Sequence, residues 1–210
     1  MGLVINPLNP TLMRKSVKTL VLFTITLLFG TASPAQLRVP LLNGVATDVK
    51  KVIEDYPNRF INLMGEVIAE NAQSTDYACN FKVNGAEECF ITRYSAKKEV
   101  CSWEAVMLTT ESFEKAKQKF KAIYNQLNNI SVSIGEAKNL KLKGNYEVPE
   151  ESKKFASILF SFEPSIEKAS RLRVEVALQY EAPMDWKVKI LVYDRDREDN
   201  ERGKTVEESQ

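Results

Sequence analysis

Glu111 to Leu127 reads ESFEKAKQKFKAIYNQL. Phe113, Ala116, Phe120, Ile123 and Leu127 recur at spacings of three and four, so a helix places all of them on one face. Lys115, Lys117, Gln118, Lys119 and Lys121 fall mostly off that stripe, giving one apolar side and one wet side. Thr110 is the expected N-cap, with Glu111 and Glu114 in the first turn, where the helix dipole favours acids. A helix with one apolar face needs a surface to cover. Strand-patterned segments lie on both sides of it.

Upstream, Leu42, Val45, Val49, Val52 and Tyr56 repeat the same spacing and predict a first amphipathic helix over residues 41–56, ended by Pro57. A strand is expected over Phe60 to Glu70, with Gly65 as a bulge. Tyr77, Cys79, Phe81 and Val83 alternate with polar or small residues, a half-buried strand that runs into Asn84-Gly85, a strong hairpin signal. Further strands follow over 87–94 and 100–109. Beyond the 111–127 helix, residues 130–134 and 139–146 are strand material around Gly135, 147–154 a polar loop, 155–162 an apolar run and 164–170 a connection. Residues 171–180 alternate cleanly, and the last strand spans 186–193 after Pro183.

The ends differ in character. Arg14, Lys15 and Lys18 precede the apolar run Leu20–Phe29 and the small residues up to Ala35, the pattern of a secretory signal peptide over residues 1–35 cut before Gln36. Met13 is the expected start, with 1–12 an upstream extension. The run is too short for a bilayer, which needs about 20 apolar residues, so the processed chain is not expected to span a membrane. Its removal leaves 26 basic and 28 acidic residues, a formal charge of −2 and no basic excess for nucleic acid. The expected divisions are a first α+β half at 36–110, a second at 111–194, and a disordered charged tail at 195–210.

Two halves of similar pattern suggest an internal repeat. Each reads as a helix followed by about four strands, carries a Gly-Glu pair (Gly65-Glu66, Gly135-Glu136) and closes on a Trp-bearing strand, Trp103 or Trp186. The fold expectation is therefore α+β: two helix-plus-antiparallel-sheet (α-β4-like) halves, a tandem repeat sharing one extended sheet. That arrangement, over residues 41–194, resembles tandem α-β4 secreted proteins such as the β-lactamase inhibitor proteins, and PepSY-type modules. The resemblance concerns the fold and implies no activity or site residue.

Chemistry is scarce. The chain has no histidine, which removes His-based triads, Cys-His pairs and most catalytic zinc sites. Ser95/Lys98, Ser112/Lys115 and Ser165/Lys168 match S-x-x-K without the accessory motifs a Ser-Lys enzyme carries, and read as solvated surface. Asp194, Asp196 and Glu198 alternate like a calcium loop, but Arg195 and Arg197 lie between them and the required glycine is Asp199. No phosphate loop, metal set or cofactor motif is present.

Cys79, Cys89 and Cys101 admit one disulfide plus one thiol, or three buried thiols. A two-residue turn at Asn84-Gly85 sends Cys79 and Cys89 to opposite faces. A three-residue loop that pairs Lys82 with Ala86 sets them opposite one another, the arrangement in which a bridge can form. Trp103 and Trp186 are either core indoles or flat anchors for a partner.

The functional expectation is an exported, periplasmic or extracellular, non-catalytic binding module. It would meet a protein or cell-envelope component on an apolar patch of several hundred Å² on its sheet, with Trp103 and Trp186 as binding residues. The alternative is a carrier or weak enzyme with a pocket lined by Met64, Met107, Phe120 and Phe160.

Overall fold

The computed structural model describes Gly2 and residues 43–95 and 100–195; the rest of the expected signal peptide and most of the expected tail lie outside them. Asn43–Asp55 forms α1, which buries Val45, Val49, Val52 and Ile53. Pro57 cannot continue the helix, and the chain tightens into a 3-10 turn at Tyr56–Asn58. Arg59 and Phe60 then both take left-handed backbone, φ 56° and 57°. This turn occupies the start of the segment expected as strand, so β1 is only Met64–Glu70. Its pairing slips between Met64 and Val67, a bulge at Gly65-Glu66.

β2 (Ser74–Cys79), β3 (Glu88–Tyr94) and β4 (Val100–Thr110) follow as an antiparallel meander. Phe81 and Val83 belong to the β2–β3 loop and not to the strand. The loop closes on a tight turn, Ala86 N–H donating to Val83 O, with Gly85 at φ +76°, where a side chain would be strained. That turn seats on the start of α1. Asn84 N–H donates to Asp48 Oδ2 at 3.0 Å, and a Cβ on Gly44 would come within 2.7 Å of the Asn84 side chain.

Phe113–Leu127 forms α2, and the residues it buries are the predicted stripe: Phe113, Ala116, Phe120, Ile123 and Leu127. The cap is Ser112 and not Thr110. Ser112 Oγ accepts from Lys115 N, while Thr110 Oγ1 accepts from Ser112 N one step earlier. β5 (Ser131–Ile134), β6 (Ala137–Lys143), β7 (Phe155–Glu163), β8 (Leu172–Glu181) and β9 (Asp185–Asp194) complete the chain. The second helix is thus followed by five strands, and not about four. β7 is no continuous buried run: Ile158, Phe160 and Phe162 point inward, while Phe155, Ser157, Leu159 and Ser161 are exposed.

Among the described residues, the nine strands form one antiparallel sheet in the order β1-β2-β3-β4-β9-β8-β7-β6-β5. The described part of the protein is therefore a sheet-rich α+β fold. The strands that close the two successions, β4 and β9, are neighbours at its centre. α2 lies against β4, β8 and β9, and α1 lies against α2 and β5. The two helices and the inward side chains of the sheet share one core, from Ile91, Trp103 and Met107 through Val188 and Ile190 to Val174, Val176 and Leu178. Fully burying one large apolar side chain such as Phe120 contributes about 1.5–3 kcal/mol. No helix among the described residues is long and apolar enough to cross a membrane.

Candidate functional site

Side chains alternate across a strand, so strand register fixes what the sheet presents on the face away from the helices. One row crosses it from Leu159 through Glu175, Leu191 and Glu104 to Phe90. A second runs Ser157, Ala177, Lys189, Val106, Glu88, and a third Arg173, Tyr193, Ser102, Thr92, Asp76. At the centre these rows are tied by charge. Lys189 Nζ lies 3.2 Å from Glu104 and 2.9 Å from Glu181, and Lys187 also pairs with Glu181. Tyr193 donates to Glu175 at 2.8 Å, and Thr92 to Asp76 at 2.6 Å.

The network sets the protonation states. Burial alone would raise the Glu181 carboxyl, but hydrogen bonds from Lys187, Lys189 and Gln179 outweigh it and hold the group down at about 2. Burial likewise works against the Lys189 ammonium, and Glu181 and Glu104 overcome it, raising its pKa. A carboxylate held that low stays ionised near neutrality and is a poor acid or base there. The charged centre is saturated by its own partners. The apolar residues on the flank are not: Phe155 is 52% and Leu159 50% exposed, both on β7.

A recess of about 160 Å³ opens at one end of the fold, lined by Tyr56, Pro57, Arg59, Phe60, Val100, Cys101 and Asp194. Tyr56 Oη donates to Asp194 Oδ2 at 2.9 Å, and Arg171 grips the same carboxylate through Nη2 at 3.1 Å. Burial, then the Asp194 charge, pushes the Tyr56 phenol well above its ordinary range. Behind it, the buried Asp55 carboxylate takes Asn58 Nδ2, Asn62 N and Asn62 Nδ2, which holds the left-handed Arg59-Phe60 pair in place. A second recess, about 280 Å³, lies between the end of β7 and the Ser165–Arg173 connection. Both are smaller than the roughly 300–1,000 Å³ of an ordinary ligand pocket.

The tryptophans are not surface anchors. Trp103 is 0% and Trp186 4% exposed. Trp186 packs under the start of α2, its ring 4.9 Å from Phe113 and 5.3 Å from Tyr180. Trp103 lies in the core with its indole N–H lacking a well-formed hydrogen bond, and the group it acts on is Cys79, whose thiolate it favours. The sequence could not separate core from surface here, because a strand-end Trp has the same pattern in both settings.

Cys79 and Cys89 fall together. β2 and β3 pair Tyr77 with Ile91 and Ala78 with Phe90, so the next rung sets Cys79 against Cys89. The strand register is the one expected of the Lys82/Ala86 alternative, although the turn itself closes Ala86 onto Val83 as a two-residue Asn84-Gly85 turn. Residues 80–87 leave the ladder, so the turn does not dictate the strand register. Both thiols are half-buried, and both are raised chiefly by burial, Cys79 to about 12. Cys101 stands elsewhere, buried at the start of β4 opposite Arg93.

The remaining sequence candidates separate. Ser112 is occupied as a helix cap and Lys168 pairs with Glu136 at the surface, while Lys98, Asp196 and Glu198 lie outside the described residues. Among the described residues no three Cys, Asp or Glu side chains are placed to hold a metal. Met107, Phe120 and Phe160 are buried members of the shared core, and Met64 packs partly buried against it. Neither recess is lined by Met64, Met107 or Phe120. Sequence reasoning missed Tyr56 and the Phe155/Leu159 pair as site residues, the pair carrying a signal as alternate positions of an apolar run. It weighed Asp194 only as part of a calcium loop and not as the partner of Tyr56 and Arg171. Compared with known proteins, the chain matches no family model, no curated protein and no solved structure.

Proposed function

We propose that this protein is an exported, non-catalytic binding module that meets a protein or cell-envelope partner on the β7 side of its helix-free sheet face. The observation that carries the reading is the exposure of Phe155 and Leu159 beside a charged centre whose groups are already paired with one another. Apolar side chains left half in water on a folded sheet are inexpensive to bury against a partner. The paired charges contribute orientation more than affinity. Met107 and Phe120 are core members that line neither described recess, which weighs against the carrier alternative.

The two helix-and-meander successions are proposed to descend from one α-β4 unit. In support, the strand order reads the same from either edge once β5 is set aside, with β4 and β9 as the central pair. The Gly-Glu match is not part of that support, since Gly65 sits in a bulge of β1 and Gly135 in the β5–β6 turn.

A photo-crosslinking residue at position 159, in cells that make the full chain, tests the surface. Discrete adducts from position 159 and none from position 118, on the wet face of α2, are expected. Equal labelling from both would remove the reading. Amino-terminal sequencing of the product recovered outside the cytoplasm tests export, with Gln36 expected first.

A further inference from the structure

We propose that Cys79 and Cys89 form a cross-strand disulfide by exchange with an oxidising disulfide, and that Cys101 takes no part in it. The inference does not depend on the binding reading, since the chemistry can be run on the purified chain.

The register carries the assignment. Every β2–β3 pair from Ser74/Tyr94 to Ala78/Phe90 keeps one alignment without a slip, and Cys79 and Cys89 are the following strand residues. Residues directly opposite in an antiparallel pair have Cα atoms about 4.5–5.5 Å apart, within the roughly 4.4–6.8 Å that a disulfide spans. The two sulfurs also lie on one face, the side of Tyr77 and Ile91, and the charge of Cys89 acts on Cys79. Cys101 fails the same test. Cys89 is opposite Ala105 and Cys101 opposite Arg93, four residues along β4. At about 3.3 Å per residue that separation is on the order of 13 Å, which no disulfide can close.

The surroundings give the two thiols different parts. At Cys89 the backbone N–H of Val83 and the charge of Lys82 favour the thiolate, while burial and the Asp48 charge oppose it. At Cys79 the Trp103 indole favours it, while burial, which lifts the thiol to about 12, and the Cys89 charge oppose it. Cys89 therefore attacks first. Its thiolate displaces one thiolate from the oxidant R–S–S–R and forms a mixed disulfide. The Cys79 thiolate then attacks the Cys89 sulfur, making the Sγ–Sγ bond and releasing the second R–S⁻. The protein loses two protons and two electrons, and the oxidant becomes two thiols. Both cysteines are half-buried, so the oxidant can reach them without global unfolding.

The test uses the full chain, reduced, then incubated folded with oxidised glutathione, quenched with acid and alkylated under denaturing conditions. One alkylated cysteine, Cys101, is expected, with a Cys79–Cys89 linked peptide in the digest and a mass lower by two hydrogens. Three alkylated cysteines, or a link that includes Cys101, would overturn the proposal. Cys79→Ser should arrest the reaction with one glutathionyl group on Cys89, and Cys101→Ser should bridge at the rate of the unaltered chain. Cys89→Ala, checked for native circular dichroism, should form no bridge at all; a link between Cys79 and Cys101 in that folded variant would also overturn it.

Discussion

The hydroxyl of Tyr56 donates to Asp194 Oδ2 at 2.9 Å across 138 positions of chain. One hydrogen bond thereby ties the turn that ends α1 to the last residue of β9, the strand at the centre of the sheet. Arg171 holds the other side of the same carboxylate.

Tyr56→Phe removes the donor and leaves Asp194 to Arg171. A loss of about 1 kcal/mol is expected in urea unfolding, the usual net worth of a part-buried hydrogen bond. The phenol's raised pKa also has a sign. The folded state favours the neutral form, so this contribution is complete below the ordinary phenol value of 10.0 and is lost as pH climbs above it. Unfolding midpoints measured from pH 8 to 11 should fall less steeply in Tyr56→Phe than in the unaltered chain.

Glu181 acts at the other end of the scale. Its pKa falls from 4.5 to about 2 in the fold, so its stabilisation is present above 4.5 and is lost as pH drops toward 2. Glu181→Gln should cost about 0.5–1 kcal/mol at neutral pH, as for a networked surface pair, and nothing at pH 2. Acid titration of the unfolding midpoint reads both.

The core under α2 is closely packed around fully buried side chains. Phe120 is fully buried, and Phe120→Ala should destabilise by about 3–5 kcal/mol through lost burial and the cavity left behind. Gln118→Ala, two residues away on the exposed side of the helix, should stay within about 0.5 kcal/mol. Denaturant unfolding of both variants separates the two faces.

Asp55 is buried at 7% exposure and takes three hydrogen bonds from Asn58 and Asn62. Asp55→Ala strands those donors and frees the left-handed Arg59-Phe60 pair. A cost of about 2–3 kcal/mol is expected. Faster hydrogen exchange should be confined to residues 56–63.

Bridging Cys79 to Cys89 closes a short loop in the unfolded chain. Oxidised protein should exceed reduced protein by about 2–3 kcal/mol in chemical unfolding. Because burial raises both thiols, and Cys79 to about 12, the bridging rate should climb roughly tenfold per pH unit between pH 7 and 9.

The two helices and most strands were legible because their signals are local. The stripe from Phe113 to Leu127 is a matter of spacing along one segment, and all of its residues are buried as spacing requires. Where a special backbone intervened, the local signal misled. The left-handed turn at Arg59-Phe60 consumed the start of an expected strand, and the turn at Val83–Ala86 shortened β2.

What the sequence alone determined is which residues face inward along each element: side-chain period follows from covalent geometry and needs no partner. What only the tertiary structure decided is which elements meet. Nothing in residues 100–110 or 185–194 says that β4 and β9 are adjacent at the centre, because strand pairing joins segments far apart in the chain. That adjacency sets Trp103 beside Val192 and brings Glu104 of β4 onto Lys189 of β9. The alignment of Cys79 with Cys89 likewise follows from the β2–β3 ladder and not from the Asn84-Gly85 turn, because residues 80–87 leave the strands before the turn is made.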